Sequence, residues 1–401
     1  GNVFPETFLF ALDVDGNLLW QRNITPNDPG GTDVQSITFD PQGRAWYATC
    51  DFFNAEIKRL DDAGNDVETW PVLDAKTIGA ISFDPQGGLY VSGAASTPGI
   101  TVNGTFYPIA PHYNFFVARM GVDGTSQWLR SAEDITFQRP LVAADDFGHA
   151  YLLGSPFDSL TFGGIHFHGP EWNSTFFLAR LDSMGNFQWG FQPPVGAPFS
   201  GQFSVEDKNV LGVDGNGNAM LLGMTDGVIA WGNNVLTDVG TLQDRAVTML
   251  QVDSTGTPQW ELHAGSVNYD DVQGLAVLPD GTCHIAVQAQ DTFQLGAFTA
   301  EVSSPNLVVA RIAPSISTGV EAITKNERDI FTFPSPFTNR FSIAADPFSG
   351  EVVKVLLRDA TGRLVSQGHQ LNGLGGELKA GSYFVEVRQG ENRWYGRVVK
   401  Q

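Results

Sequence analysis

Few residues in this sequence have the spacing to do chemistry. His166 and His168, two apart in GGIHFHGPEW, would share one face of an extended strand with Glu171 close by. Such a set ligates zinc when a third ligand converges. The motif occurs once and its equivalents along the chain lack histidine, so it reads as loop decoration and no metal site is expected. His112, His149, His263, His284 and His369 show no ligand spacing. Asp-rich turns at Asp13/Asp15, Asp61/Asp62 and Asp214/Asn216/Asn218 cluster the hard oxygens that calcium prefers. They lack the sixth-position glycine and distal glutamate of an EF-hand, and Asp and Asn suit turns through local hydrogen bonds. Turn chemistry is the reading, and no cofactor is expected; calcium is the one ion the pattern leaves open. GMTDG (Gly223–Gly227) imitates a nucleophile elbow with Thr in place of Ser, but no strand-to-helix context follows, so it reads as a turn. With neither G-x-S-x-G nor H-E-x-x-H present, no catalytic residue is assigned.

The elements that must position these residues repeat. One phrase, a hydrophobic strand, an Asp/Gly turn and then Trp, recurs five times: Phe8–Trp20, Glu56–Trp70, Phe115–Trp128, Phe176–Trp189 and Val247–Trp260. The turn glycines are Gly16, Gly64, Gly124, Gly185 and Gly256, and the Trp follows four residues later in all but the second copy, where the gap is six. A truncated sixth copy, LVVARIAP, occupies Leu307–Pro314. Between these lies a second hairpin phrase, also five times over: ITFDPQGRAWYATC, ISFDPQGGLYVSG, LVAADDFGHAYLLG, VLGVDGNGNAMLLG and LAVLPDGTCHIAV. Two hairpins per repeat of about 45–70 residues make four antiparallel strands with Gly-containing turns, the pattern of a β-propeller blade. About five four-stranded repeats are expected over residues 1–314. Trp20, Trp70, Trp128, Trp189 and Trp260 are expected to pack between neighbouring repeats.

Composition agrees with an all-β chain. The 401 residues include 45 Gly and 29 Phe, and 42% are hydrophobic, enough for a sizeable core. The net charge of −21 argues against nucleic acid and against an anionic membrane surface. No apolar run approaches the ~20 residues a spanning helix needs. Cys50 and Cys283 sit about five strand positions apart when their repeats are aligned. That is roughly 16 Å at ~3.3 Å per residue, beyond disulfide reach, so both read as small buried residues. After Pro314 the phrases stop. Residues 315–330 read as a polar linker, and 331–401 form a second strand-rich domain. That domain carries nine Lys/Arg against six Asp/Glu, a basic module on a body of residues 1–330 holding 14 and 38.

The paired phrases resemble the bacterial SBBP-type propeller repeat, and LTFGGIHFHGPEWNSTFFLARLD resembles its connecting segment. The Asp–Gly–Trp phrase is also similar to quinoprotein propeller repeats, but the adjacent cysteines of those dehydrogenases are missing. The tail resembles the type A carboxyl-terminal sorting domain of the type IX secretion system of Bacteroidetes, a small Ig-like β-sandwich. Its landmarks appear in order: FPSPF with Pro334, Pro336 and Phe337; DATGRLV with Asp359, Gly362 and Arg363; LKAGSYFVEV with Gly381 and Tyr383; and a basic-ended last strand at Lys400. The resemblance implies export across the outer membrane through the translocon, removal of the tail near 315–330, and a secreted or cell-surface protein. The triplets DSL, DSM and DST resemble the Bacteroidetes O-glycosylation sequon and single out Ser159, Ser183 and Ser254. The leading functional reading is a non-catalytic module in adhesion, binding or extracellular assembly, with an unknown extracellular ligand or self-association as partner. The alternatives are a filament or surface-layer subunit that retains its tail, and a propeller enzyme acting on glycans or using a quinone.

Overall fold

The computed structural model describes residues 7–313, 328–329, 332–333 and 337–401, apart from 14, 25–32, 52, 111, 135–138, 170–175, 194–201, 206–207, 234, 240–245, 267–269, 297, 344–353, 360–362 and 390–391. Among the described residues every regular element is a β-strand, so the chain is all-β. No helix there is long and apolar enough to cross a membrane. The chain divides into two compact units, 1–314 and 315–401.

In the first unit the two hairpin phrases of each repeat form one antiparallel sheet. The second repeat is a four-stranded sheet in the order Ser126–Asp134, Tyr113–Met120, Leu89–Ser96, Ala75–Phe83. The third is likewise four-stranded, from Leu141–Ala144 through Ala150–Gly154 and Phe177–Leu181 to Phe187–Phe191. The expectation of isolated four-stranded repeats does not hold at the first repeat or at the end. The first repeat gains an extra hairpin, Gly99–Val102 with Thr105–Pro108, and becomes six-stranded. The fourth and last repeats merge into one eight-stranded sheet. The reason is length. Cys283–Leu295 and Phe298–Ile312 run 13 and 15 residues, far past the repeat, and Leu295 and Gln294 reach Ala264 and Gly265 of the preceding repeat. GMTDG also departs from its turn reading. Gly223–Asp226 close the Ala219–Asp226 strand with Thr225 fully buried, and only Gly227 turns, at φ +66°.

Neighbouring repeats are joined by indoles. In each of four turns the glycine has φ between +77° and +88°, a conformation that strains any residue with a Cβ. The same glycine carries the Trp of the preceding repeat flat against its missing side chain. A Cβ would lie 2.7 Å from the Trp20 ring at Gly64, 2.7 Å from Trp70 at Gly124, 2.8 Å from Trp128 at Gly185 and 2.9 Å from Trp189 at Gly256. Polar contacts fix the angle. Trp128 Nε1 donates to the Ser183 carbonyl at 2.9 Å and Trp189 Nε1 to the Ser254 carbonyl at 3.0 Å. Two residues after the Trp, Arg22 and Arg130 donate to the carbonyls of Gly64 and Gly185.

A second set of ties crosses the same seams. The Tyr90 hydroxyl donates to the Gly148 carbonyl at 2.7 Å and the Tyr151 hydroxyl to the Gly217 carbonyl at 2.6 Å. Arg119 and Arg180 lie over those tyrosine rings, at 5.5 and 5.6 Å. They also pair with the fully buried carboxylates of Asp84 and Asp145. Removing Arg119 would leave the buried Asp84 carboxylate without its cation, a change that costs several kcal/mol, whereas Asp145 keeps His149 Nδ1 at 2.9 Å when Arg180 is lost.

The second unit has its own core around Phe337, Phe341, Val355, Leu357, Val385 and Trp394. Its main sheet runs Arg328–Asp329, Asn392–Lys400, Gly381–Gln389, Lys354–Asp359, Leu364–Gly368. Arg328 and Asp329, assigned to the linker from sequence, instead pair in parallel with Trp394 and Tyr395. Two residues have too little pattern to show as a strand, and only the partner strand makes them one.

These seams set an order of stabilities. Trp128→Ala should lower unfolding free energy by about 3–5 kcal/mol in urea titration, the usual cost of emptying a buried indole site. Gly185→Ala should cost clearly more than Gly16→Ala, because Gly16 shares the φ but has nothing within 4 Å of its Cβ position. Equal losses at the two glycines would show that backbone strain alone, not the indole, governs these turns.

Candidate functional site

The Asp-rich turns are closed on themselves. The Asp13 carboxylate accepts the backbone N–H groups of Asp15 and Asn17 at 2.9 and 2.8 Å and the Asn17 side-chain amide at 2.9 Å. Asp61, Asp182, Asp214 and Asp253 repeat the scheme with residues two and four positions on. The carboxylate oxygens face their own turn, and among the described residues no three His, Cys, Asp or Glu side chains gather as a metal site. At Asp13, Asp61, Asp182 and Asp253 these bonds favour the ionised form. The Asn17 amide and backbone set Asp13 below the usual carboxylate range, and the Asn65 backbone and side chain do so for Asp61. For Asp40, Asp182 and Asp253 burial pushes the carboxyl up. Hydrogen bonds from Trp46 and Arg44, from Asn186, and from Thr255 and Thr257 outweigh it, and each ends below its ordinary value.

His166 and His168 lie with ring centroids 4.6 Å apart and edge to face, and Thr161 is 3.3 Å from His166 Nδ1. Glu171, the suggested companion, lies outside the described residues. Cys50 and Cys283 are both buried and free. Burial pushes the Cys283 thiol up to about 11, which keeps it a protonated, unreactive group at neutral pH. Ser159 and Ser183 are exposed and Ser254 is half-buried. The backbone carbonyls of Ser183 and Ser254 are the acceptors of the seam indoles, whereas Ser159 Oγ accepts the Gly169 N–H at 3.2 Å. An open cleft of about 410 Å³, lined by Ser96, Thr97, His112 and Tyr113, carried no signal in the sequence. Its walls come from a strand end and a loop that only the tertiary structure brings together.

The arrangement most suggestive of recognition is in the second unit, where residues far apart in the chain converge at its last strand. Phe337 pairs in parallel with Lys400: its N–H donates to the Val399 carbonyl at 2.8 Å, and its carbonyl accepts from Gln401 N–H at 2.9 Å. The Lys400 ammonium lies 5.4 Å from the Phe337 ring centroid and donates to the carbonyls of Gly375 and Gly376 at 3.0 and 3.3 Å. Gly375, at φ +85°, is pressed against the Phe337 ring. Phe341 completes the cluster, 5.0 Å from Phe337. Away from it, Asp359 pairs with Arg363 at 3.3 Å and Tyr383 donates its hydroxyl to the Lys379 carbonyl at 2.8 Å. Gly381 begins the strand that carries Tyr383. Pro334, Pro336 and Gly362 lie outside the described residues. Sequence reading did not single out Gly375 or Phe341. Their only signals are a glycine-rich NGLGGE and a second Phe four residues after the first.

No family model and no curated protein matches the chain. Among solved structures, a protein of unknown function from Bacteroides caccae is 12% identical, with 86% of this chain and 94% of that one covered and a TM-score of 0.33. PorZ, a bacterial surface component of the type IX secretion system of Porphyromonas gingivalis, is 9% identical, with 98% and 84% covered and a TM-score of 0.18. The calcium-binding protein regucalcin of Agrobacterium tumefaciens is 13% identical, with 68% and 92% covered and a TM-score of 0.26. At such scores these likenesses bear on neither the fold nor the function of this chain.

The lowered Asp groups make stability acid-sensitive. A carboxyl with a folded value below its unfolded one stabilises the fold above the unfolded value and loses that contribution as pH falls through the folded one. The melting temperature should therefore be flat above about pH 5 and fall steadily below about pH 4, and Asp182→Asn should flatten that fall. A profile insensitive to acid would contradict the role given to these turns.

Proposed function

We propose that residues 1–314 are a non-catalytic β-propeller module, secreted or displayed at the cell surface and working in adhesion, binding or extracellular assembly. Residues 331–401 are its type IX sorting domain, an Ig-like sandwich read by the translocon. The observation that carries the reading is the convergence of Phe337 and Lys400. The first and last landmarks of the sorting motif, 63 residues apart, meet in one cluster of aromatic ring, ammonium and glycine carbonyls. A translocon can read such a patch at the last strand. The succession of indole seams supports the propeller reading, since each repeat presents one face forward and one back as blades do.

The test is export of the full chain in a host with a type IX translocon. The extracellular fraction should fall at least about tenfold when the translocon is inactivated, and Lys400→Ala combined with Phe337→Ala should reduce it while a Met184→Ala control does not. Unchanged export in the translocon-deficient host would refute the assignment. In the same material, exposed Ser159 and Ser183 are the acceptors proposed for O-glycans. The mass of the exported chain should exceed that of the bare polypeptide and drop on Ser159→Ala/Ser183→Ala substitution. A mass equal to the bare polypeptide would remove glycosylation from the account.

A further inference from the structure

The main sheet of the second unit has two unlike edges. At one, Arg328 and Asp329 lie in parallel against Trp394 and Tyr395 of the strand Asn392–Lys400. At the other, Leu364–Gly368 pairs with Lys354–Asp359, and among the described residues no further backbone segment bonds to it. Leu364, Ser366 and Gln367 are exposed, and Val365 and Gly368 are half-buried. The strand carries neither charge nor proline, the residues that usually keep a free edge from pairing with another chain. Its one irregularity is a shift between Leu364 and Ser366. Beyond it Ser366, Gln367 and Gly368 stand in regular register with Leu357, Leu356 and Val355.

Beside this edge the outward face is cationic. Residues directly opposed in antiparallel strands share a face. Lys354 therefore stands with Arg388, and Leu364, Arg358, Phe384 and Arg397 form one row across four strands. Val355, Leu357, Val385 and Val387, at the alternate positions, belong to the core. Lys354 and Arg397 are exposed, and the side chain of Arg363, just before the edge strand, is 79% exposed. The carboxylates of these four strands are Asp359 and Glu386, and each already has an arginine, Arg363 at 3.3 Å and Arg388 at 2.5 Å. The Arg363 pair lies at the surface and is worth little, so that guanidinium can exchange it for another carboxylate.

The open donors and acceptors of an edge are satisfied by another backbone, which neither nucleic acid nor lipid offers, while the cations beside it call for carboxylates. We propose that Leu364–Gly368 takes up an extended acidic segment of a partner polypeptide as an added strand, with its carboxylates on Arg358 and Arg363. Backbone pairing supplies the affinity and the arginines select the sequence. Lys400 stands opposite Gly381 at a core-facing position, so this surface is separate from the Phe337–Lys400 cluster and does not rest on the export reading.

Fluorescence anisotropy on the full 401-residue chain tests the proposal, with a labelled peptide of alternating Glu and Val, about eight residues long, as the probe. The probe should bind, and added salt should weaken it. Its dissociation constant should rise at least about tenfold with Arg358→Glu combined with Arg363→Glu, and at least about threefold with Arg363→Glu alone, which changes only an exposed side chain. Circular dichroism checks that both variants fold. N-methylating the probe's backbone, which keeps its charge and removes its donors, should also cost at least about tenfold. A probe that stays free of the full chain at about 1 mM overturns the proposal. Equal binding of the N-methylated probe does so too, because it would reduce the face to a patch of charge. Tighter binding of an oligothymidylate or of phosphatidylglycerol vesicles would overturn the choice of a polypeptide.

Discussion

The first unit depends on an aromatic ring resting on a backbone that has no side chain. A turn glycine with positive φ does two jobs in one position: it allows the tight Asp–Gly turn, and it leaves a flat bed on which the preceding repeat's indole lies. Neither partner works without the other. A Cβ at Gly124 would drive into Trp70, and an absent Trp70 would open a cavity beside the turn. At Trp128, hydrogen bonds from the indole N–H and from Arg130 two residues on fix the ring to the carbonyls of the Gly185 turn. The seam is therefore both apolar and directional, and it repeats because the phrase repeats.

The acidic character of the chain follows from the same turns. The turns at Asp13, Asp61, Asp182, Asp214 and Asp253 place the Asp where its carboxylate caps the backbone N–H groups of the residues two and four ahead. The carboxylates are thus absorbed by local structure rather than gathered into a site. Deeper in, Asp84 and Asp145 are fully buried and answered by Arg119 and Arg180, which in turn lie over Tyr90 and Tyr151. Charge in this unit serves to hold repeats together. The basic second unit stands apart in chemistry, with its lysine held by carbonyls and an aromatic ring at the last strand.

Much of this was legible in the residues because it is local. A strand, a turn glycine and a Trp four residues later lie within one phrase, so their recurrence reveals the repeat and its all-β class without any knowledge of contacts. The ordered landmarks of the tail are equally short. What misled was everything that depends on a partner from elsewhere. GMTDG looks like a turn by composition, yet Thr225 is buried in a strand because the Ala246–Val252 strand lies beside it. Arg328 and Asp329 look like linker, yet Trp394 and Tyr395 give them a strand to join.

By itself, then, the sequence determined the class of element, the period of the array, the change of domain near residue 314 and the acidic–basic division between its parts, since these follow from residue type and spacing along the chain. Only the tertiary structure decided that Trp128 lies on Gly185, that the last two repeats fuse into one sheet, and that Lys400 meets Phe337. The physical reason is that burial and close approach belong to pairs of surfaces. A hydrophobic residue carries the same letter whether a neighbouring strand covers it or not.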